Sequence, residues 1–140
     1  RFSGTRWFSK IATEDYTPYI TTIMNAKPNG VVISLWSGDL INFVRQASKL
    51  GFFKAKFKVL MTLGAATEVL YALKDKMPTG IWVGTRYWFL ANNSKVNEKF
   101  IASYKKKYKA YPSYNAQNSY AAVYVLKAAI EKAGKVDKEA

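Results

Sequence analysis

The sequence contains neither cysteine nor histidine. Disulfides, thiolate nucleophiles, imidazole bases and the commonest zinc ligands are therefore excluded together. Acidic residues are also scarce, at nine in 140, and most of them fall on predicted polar faces or near the end of the chain. A matched acid and base or a carboxylate metal site has few candidates. We expect no catalytic residues, no metal and no cofactor, and the chain is predicted not to be an enzyme.

Long hydrophobic runs are missing as well. No stretch of about 18 apolar residues exists that could span a bilayer. The opening residues RFSGTRWF lack the charged head and apolar stretch of a signal peptide, so we expect none in this sequence. With 49% hydrophobic residues over 140 positions, the composition is typical of one compact globular domain.

Most of the charged residues in the sequence are positive. The 22 lysines and arginines outnumber the acidic residues and give a net charge of +13. Such an excess favours an anionic partner, either nucleic acid or a membrane surface. The lysines cluster in residues 54–58, in residues 104–109 and near the end of the chain, without the Gly-aromatic signatures of RNA-binding modules. A basic α/β nucleic-acid-binding domain therefore stays as the alternative, and nucleic acid is not the expected partner.

The chain alternates between strand-like and helix-like segments. Each of the first three strand-like runs is followed by a segment with helical periodicity, which predicts parallel strands joined by right-handed crossovers, with helices on both faces of the sheet. The predicted fold class is α/β, a Rossmann-like three-layer α/β/α lobe with a mostly parallel sheet. The strands are predicted at residues 6–11, 31–35, 57–61 and 80–85.

Capping residues and prolines mark the predicted helix boundaries. The first helix is predicted to begin with Thr17 as N-cap and Pro18 in the first helical position, and to stop before Pro28. Two helices without an intervening strand follow the fourth run, separated by the sequence AYPSYN. The last of them carries a predicted apolar stripe, formed by Ala122, Val125, Leu126, Ala129, Ile130 and Ala133.

The turn WSGD, Trp36–Asp39, directly follows the run VVISL and opens a helical segment. Ligands of open α/β sheets bind beyond the carboxyl ends of the strands, where such turns lie. The spacing matches neither of the glycine-rich phosphate loops, so a nucleotide cradle is not expected. Trp36 is either a core residue or a wall of a small-molecule site. Asp39 either caps the helix, contacts a ligand, or does both.

Four motifs occur in an order that resembles a known family: DYTPYI, LWSGDL, MPTGI and YPSYNAQNSYAAV. From about Gly4 to Gly134 the sequence resembles the second lobe of type I periplasmic binding proteins, the branched-chain amino-acid receptors of ABC transporters. The resemblance implies two lobes joined by a hinge that close around a ligand, as a Venus flytrap does. Residues 1–140 are then one lobe of a longer protein, without its first lobe and secretion signal.

The resemblance also implies partners and a location. A small amino acid, an amide or a related organic solute is bound between the lobes and delivered to the membrane permease of the transporter. The missing first lobe of the same protein supplies the other half of the cleft. Such proteins are periplasmic or extracellular.

The same resemblance implies the positions of ligand contacts. The turn after VVISL gives Trp36, Ser37, Gly38 and Asp39, the turn after KVLM gives Leu63, Gly64, Ala65 and Ala66, and the start of the last helix gives Tyr114 and Gln117. The last two residues either line the cleft or only cap and pack. Amino-acid-binding members commonly carry an acidic residue in the second turn, where this sequence has Gly64, Ala65 and Ala66. Either Asp39 replaces it, or the ligand is not a plain α-amino acid.

Overall fold

The computed structural model describes residues 6–136, so residues 1–5 and 137–140 of the expected domain lie outside the described residues. The chain divides between Arg86 and Tyr87 into two compact units. The first unit contains α1 (Thr17–Asn25), β1 (Gly30–Ile33), α2 (Ser37–Lys49), β2 (Lys58–Met61), α3 (Thr67–Leu73) and β3 (Trp82–Val83), with short 3-10 helices at Phe52–Lys54 and Lys74–Lys76. The second unit contains α4 (Lys95–Tyr108) and α5 (Tyr114–Ala133).

The three strands form one parallel sheet in the order β1-β2-β3. Val32 pairs with Leu60, and Leu60 pairs with Trp82, so these residues form one row across the sheet. Each pair of neighbouring strands is joined through a helix, as parallel pairing requires. The α/β class and the parallel sheet predicted from the alternation are confirmed.

The two faces of the sheet differ in burial. Side chains alternate between faces along a strand, and Ile33, Val59 and Met61 are buried on one face together with apolar residues of α1, α2 and α3. On the other face the row Val32, Leu60 and Trp82 is 47%, 39% and 71% exposed. This face of the first unit is therefore open to solvent.

Aromatic rings link the helices of the first unit. The buried Tyr16 ring meets Phe43 edge to face at 5.6 Å between centroids, and Phe43 meets Phe52 in the same way at 5.6 Å. Phe52 is fully buried and also contacts Phe57 at 4.9 Å. Edge-to-face pairs of this kind add to the stabilisation from buried area. They connect the segment before α1, helix α2 and the segment before β2 in one core.

The predicted strand at residues 6–11 is wrong. These residues have no strand structure, and Phe8 and Ile11 are 81% and 78% exposed. A β-rich segment becomes a strand only when it pairs with a neighbour, and no ladder to this segment occurs among the described residues.

The helix start after this segment is shifted by one residue from the prediction. Tyr16 is the N-cap, so Thr17 and Pro18 are the first and second helical positions. The Asp15 carboxylate accepts the Thr17 N–H at 2.8 Å. Hydrogen bonds from the Thr17 side chain and from its N–H lower the pKa of Asp15. Two side chains of α2 hold the same segment, because the Asn42 amide donates to the carbonyl oxygen of Thr13 at 3.0 Å and Gln46 Oε1 accepts the Tyr16 N–H at 2.8 Å.

Serine caps start both helices of the second unit. Ser94 accepts the Asn97 N–H at 3.3 Å, and Ser113 accepts the Ala116 N–H at 3.3 Å. The buried Asn97 side chain accepts a hydrogen bond from the Tyr87 hydroxyl at 2.7 Å and donates to the Phe89 and Asn92 carbonyls.

The apolar stripe predicted on α5 is not buried, since Val125 and Leu126 are 69% and 61% exposed. Periodicity predicted this helix correctly, but it does not specify what covers it.

Candidate ligand-binding site

The predicted turn Trp36–Asp39 lies between β1 and α2, with Trp36 as N-cap and Ser37, Gly38 and Asp39 in the first helical turn. Ser37 has φ +49°, a left-handed conformation that is uncommon for a residue with a side chain. Trp36 is 50% exposed, and a Cβ built on Gly38 would meet nothing within 4 Å. Trp36 is therefore not a core residue, and the turn offers an accessible indole beside an open backbone segment. Its contact with a ligand stays a prediction.

Asp39 is held at the start of α2. Its Oδ2 accepts the Ala12 N–H at 3.2 Å, which ties the segment before α1 to this turn. A carboxylate in the first turn of a helix is also stabilised by the helix dipole. Close by, the Tyr16 hydroxyl is buried without a hydrogen-bond partner. Burial raises the pKa of Tyr16, and the negative charge of Asp39 raises it further. Asp39 has a structural role, which does not exclude contact with a ligand.

The second predicted turn, Leu63–Ala66, lies between β2 and α3 and uses its N–H groups internally. Gly64 donates to the Met61 carbonyl at 3.2 Å, Ala65 to Gly84 at 3.0 Å and Ala66 to Leu63 at 3.1 Å. Gly64 and Ala66 are buried, whereas Leu63 and Ala65 are half-buried. The turn can shape an apolar wall, but these three N–H groups are already bonded within the protein.

Both turns leave the sheet at the same edge. The Thr62 N–H donates to the Ile33 carbonyl at 3.0 Å, which continues the β1–β2 ladder to the point where the two turns begin. We name this edge, with the turns Trp36–Asp39 and Leu63–Ala66, the carboxyl edge. The structure brings eight of the ten predicted contact residues together there.

Glu68 lies at the same edge and is not among the predicted contacts. It stands in the first turn of α3, two residues after Ala66, and its Oε2 is buried without a hydrogen-bond partner. A buried carboxylate oxygen without a partner is costly. The sequence signal for it is a glutamate two residues after the small-residue turn Gly64–Ala66.

The other two predicted contacts, Tyr114 and Gln117, belong to the second unit. Tyr114 is only 8% exposed, and the cap of α5 is provided by Ser113 rather than by Tyr114. Gln117 lines an open hollow of about 370 Å³ within this unit, together with Asn97, Phe100 and Tyr120. Burial of Tyr114 is consistent with packing, and exposure to the hollow leaves Gln117 able to meet a ligand.

Membrane-spanning helices and acidic metal-binding groups are both absent from the described residues. None of the helices between residues 6 and 136 is both long and apolar enough to cross a membrane. Within the same residues no three acidic side chains group as metal ligands would.

One family model and several solved structures are similar to this chain. The model of the family "periplasmic binding protein" matches residues 4–140. A leucine binding protein from Thermotoga maritima is 29% identical with a TM-score of 0.79, over 96% of this chain and 38% of that protein. An amino acid ABC transporter substrate-binding protein from Pseudomonas fluorescens is 21% identical with a TM-score of 0.78, over 92% of this chain and 34% of that protein.

A third solved structure has a different ligand class. It is a solute binding protein of an ABC transporter from Rhodopseudomonas palustris in complex with 3,4-dihydroxybenzoic acid, 22% identical with a TM-score of 0.57, over 86% of this chain and 33% of that protein. A comparison with curated proteins gave no match.

The chain spans less than two fifths of the length of each of these three solved proteins. These relatives are solute-binding proteins rather than enzymes, and the prediction that the chain is not an enzyme is confirmed. Because the family model matches residues 4–140, this chain belongs to the periplasmic binding protein family.

Proposed function

We propose that residues 1–140 form one lobe of an ABC transporter substrate-binding protein, which binds a small amino acid, an amide or a related organic solute. The solute lies between the carboxyl edge and a complementary lobe, and the loaded protein then meets a membrane permease. The protein acts in the periplasm or outside the cell. The observation that carries this proposal is the pair of turns at neighbouring parallel strand ends, one of which presents the half-exposed Trp36.

The groups at the carboxyl edge suit a zwitterion with an apolar side chain. Trp36, Leu63 and Ala65 offer apolar surface, as small-molecule sites do. Asp39 and Glu68 offer carboxylates, and a carboxylate forms strong charge-assisted hydrogen bonds with an ammonium group. Either can therefore replace the acidic residue that amino-acid-binding members commonly carry in the second turn. The leucine binding protein from Thermotoga maritima supports an amino acid as the solute.

The alternative function, binding of nucleic acid by a basic α/β domain, is not favoured by the family match. Its sequence support was the net charge alone.

The test is isothermal titration calorimetry on the longest natural chain that contains these residues, because one lobe makes only part of the contacts. The titrants are leucine, leucinamide and 4-methylpentanoate, which differ only in the ammonium and carboxyl groups. Asp39→Asn and Glu68→Gln remove one carboxylate each. If a carboxylate holds the ligand ammonium, one variant weakens leucine and leucinamide binding roughly 10- to 100-fold, the range for a hydrogen bond to a charged group. Binding of 4-methylpentanoate changes little.

Matched controls separate the site from general effects. Trp36→Ala is compared with Trp82→Ala, since Trp82 is also exposed but lies on the open sheet face. Asp39→Asn is compared with Asp75→Asn, an exposed carboxylate away from the carboxyl edge. Equal effects within each pair, or no saturable binding of any amino acid, amide or aromatic acid by the folded protein, contradict the proposal.

A further inference from the structure

Lysines of the first unit gather at the end of the sheet opposite the carboxyl edge. Helices begin where parallel strands end, and Asp39 and Glu68 lie in the first turns of α2 and α3. The lysines instead gather in the connections that lead into the strands. We name these connections the lysine edge, and its lysines are Lys27, Lys54, Lys56, Lys58, Lys74 and Lys76.

Topology brings the lysine edge together. The amino ends of parallel strands meet at one edge of a sheet, and Lys27, the residues from Lys54 to Lys58, and Lys76 precede β1, β2 and β3 respectively. The Lys58 N–H donates to the Asn29 carbonyl at 3.0 Å, which joins the first two connections directly.

These lysines lack compensating charge. All six are exposed, and Asp75 is the single acidic residue in the three connections. Within residues 6–136 the ion pair found is Lys127 with Glu131 in the second unit. The lysine edge therefore carries a net charge of +5, from six lysines and one aspartate.

Helix stabilisation does not account for this cluster. Lys27 and Lys74 follow the ends of α1 and α3, where a cation suits the helix dipole. Both, however, have left-handed backbone conformations, with φ +46° and +50°, where glycine fits better than any residue with a Cβ. Lys54 ends the 3-10 helix, Lys56 follows it and Lys58 opens β2. No long helix ends beside them in sequence. A shared role for the charge explains all six positions.

We propose that the lysine edge is a docking surface for an anionic phospholipid bilayer. A bilayer presents diffuse negative charge, which exposed lysines satisfy without fixed geometry. Nucleic acid fits less well, since base recognition favours arginine and stacking requires exposed rings. The lysine edge contains no arginine, and its three aromatic residues are not exposed, since Phe52 is buried and Phe53 and Phe57 are half-buried. An exposed ring beside this edge is Trp82, which opens β3. Because the carboxyl edge lies at the other end of the sheet, docking leaves the proposed solute site accessible.

The test is co-sedimentation of the 140-residue chain with vesicles of phosphatidylglycerol and phosphatidylcholine, compared with vesicles of phosphatidylcholine alone. The chain is expected to bind the anionic vesicles and to be released by salt, since the attraction is screened beyond a Debye length. At roughly fivefold in partitioning for each lysine near the surface, the triple variant Lys54→Gln, Lys56→Gln, Lys58→Gln should bind on the order of 100-fold more weakly.

The matched control removes the same charge from the second unit, as Lys105→Gln, Lys106→Gln, Lys107→Gln at the exposed end of α4. Circular dichroism verifies that both triple variants are folded. A loss confined to the first triple variant supports the proposal. Equal losses attribute binding to overall charge and overturn it, as does absence of binding to anionic vesicles. Tighter binding to single-stranded RNA or duplex DNA than to vesicles, at the same salt, also overturns it.

Discussion

Replacing glycine by alanine is expected to have opposite effects on stability at two glycines of the first unit. A Cβ built on Gly84 lies 2.7 Å from the carbonyl oxygen of Thr62, a backbone atom that cannot move aside alone. The Gly84 N–H also donates to the Met61 carbonyl at 2.9 Å, and its own carbonyl accepts from Ala65. Gly84→Ala must therefore push apart the ends of β2 and β3. At Gly38 a Cβ meets nothing within 4 Å, so Gly38→Ala is its matched control.

The magnitudes follow from packing and from chain entropy. Forcing a methyl group into a filled space costs about 1–3 kcal/mol of unfolding free energy, and Gly84→Ala is expected at the upper end because the obstacle is backbone. Gly38→Ala should stabilise by about 0.4–1 kcal/mol, since alanine restricts the unfolded chain and fits a helical position without strain. The two substitutions thus differ in sign.

Urea unfolding followed by far-ultraviolet circular dichroism measures both effects, and thermal unfolding gives a second estimate. For a unit of this size, 1 kcal/mol corresponds to a shift of about 4–8 °C in the melting temperature. The reasoning is refuted if Gly84→Ala unfolds within about 0.5 kcal/mol of the parent chain, the range of ordinary surface substitutions. It is also refuted if Gly38→Ala is the more destabilising of the two.

Three further substitutions test the core, a buried hydroxyl and a helix cap. Phe52→Ala should cost about 3–5 kcal/mol because the ring is fully buried, whereas Leu50→Ala, at a 43% exposed position, should cost far less in the same urea titration. Tyr16→Phe removes a buried hydroxyl without a partner and should not destabilise. The pKa of Tyr16 is raised in the folded state, so the unfolded state loses this proton first and the parent chain loses stability as pH rises above about 10. Tyr16→Phe lacks the proton, so its urea midpoint should fall less than the parent's between pH 9 and about pH 11. Ser94→Ala removes the acceptor for the Asn97 N–H and should lower the melting temperature by an amount equivalent to about 1 kcal/mol.

The fold was largely predictable because its elements follow local patterns. The runs around β1, β2 and β3 are apolar and separated by helical periodicity, and all three form parallel strands. The run at residues 6–11 also contains residues that favour strands, but it has no partner strand among the described residues, and pairing is not visible in local sequence. The apolar stripe of α5 was wrongly predicted to be buried for a related reason. Periodicity identifies the apolar face of a helix, but it does not show which element packs against that face.

The candidate site was predictable only in part. Trp36–Asp39 could be placed because ligand turns follow parallel strands, and the structure resolves Trp36 as an accessible side chain. The bond from the Ala65 N–H to the Gly84 carbonyl could not be foreseen, because Gly84 follows β3 and is distant in sequence. Glu68 was missed because the orphaned state of its oxygen is a property of packing. The lysines were visible as clusters, but only the topology collects three connections at one edge.

Strand order in the first unit equals chain order, β1-β2-β3. Each of the three described strands therefore adds beside the one synthesised just before it. Loop closure on this scale costs little more for each added strand, because the entropy of closure grows only slowly with length. The order β1-β2-β3 thus keeps paired strands close in sequence, and shorter separations between paired segments favour faster folding of the unit.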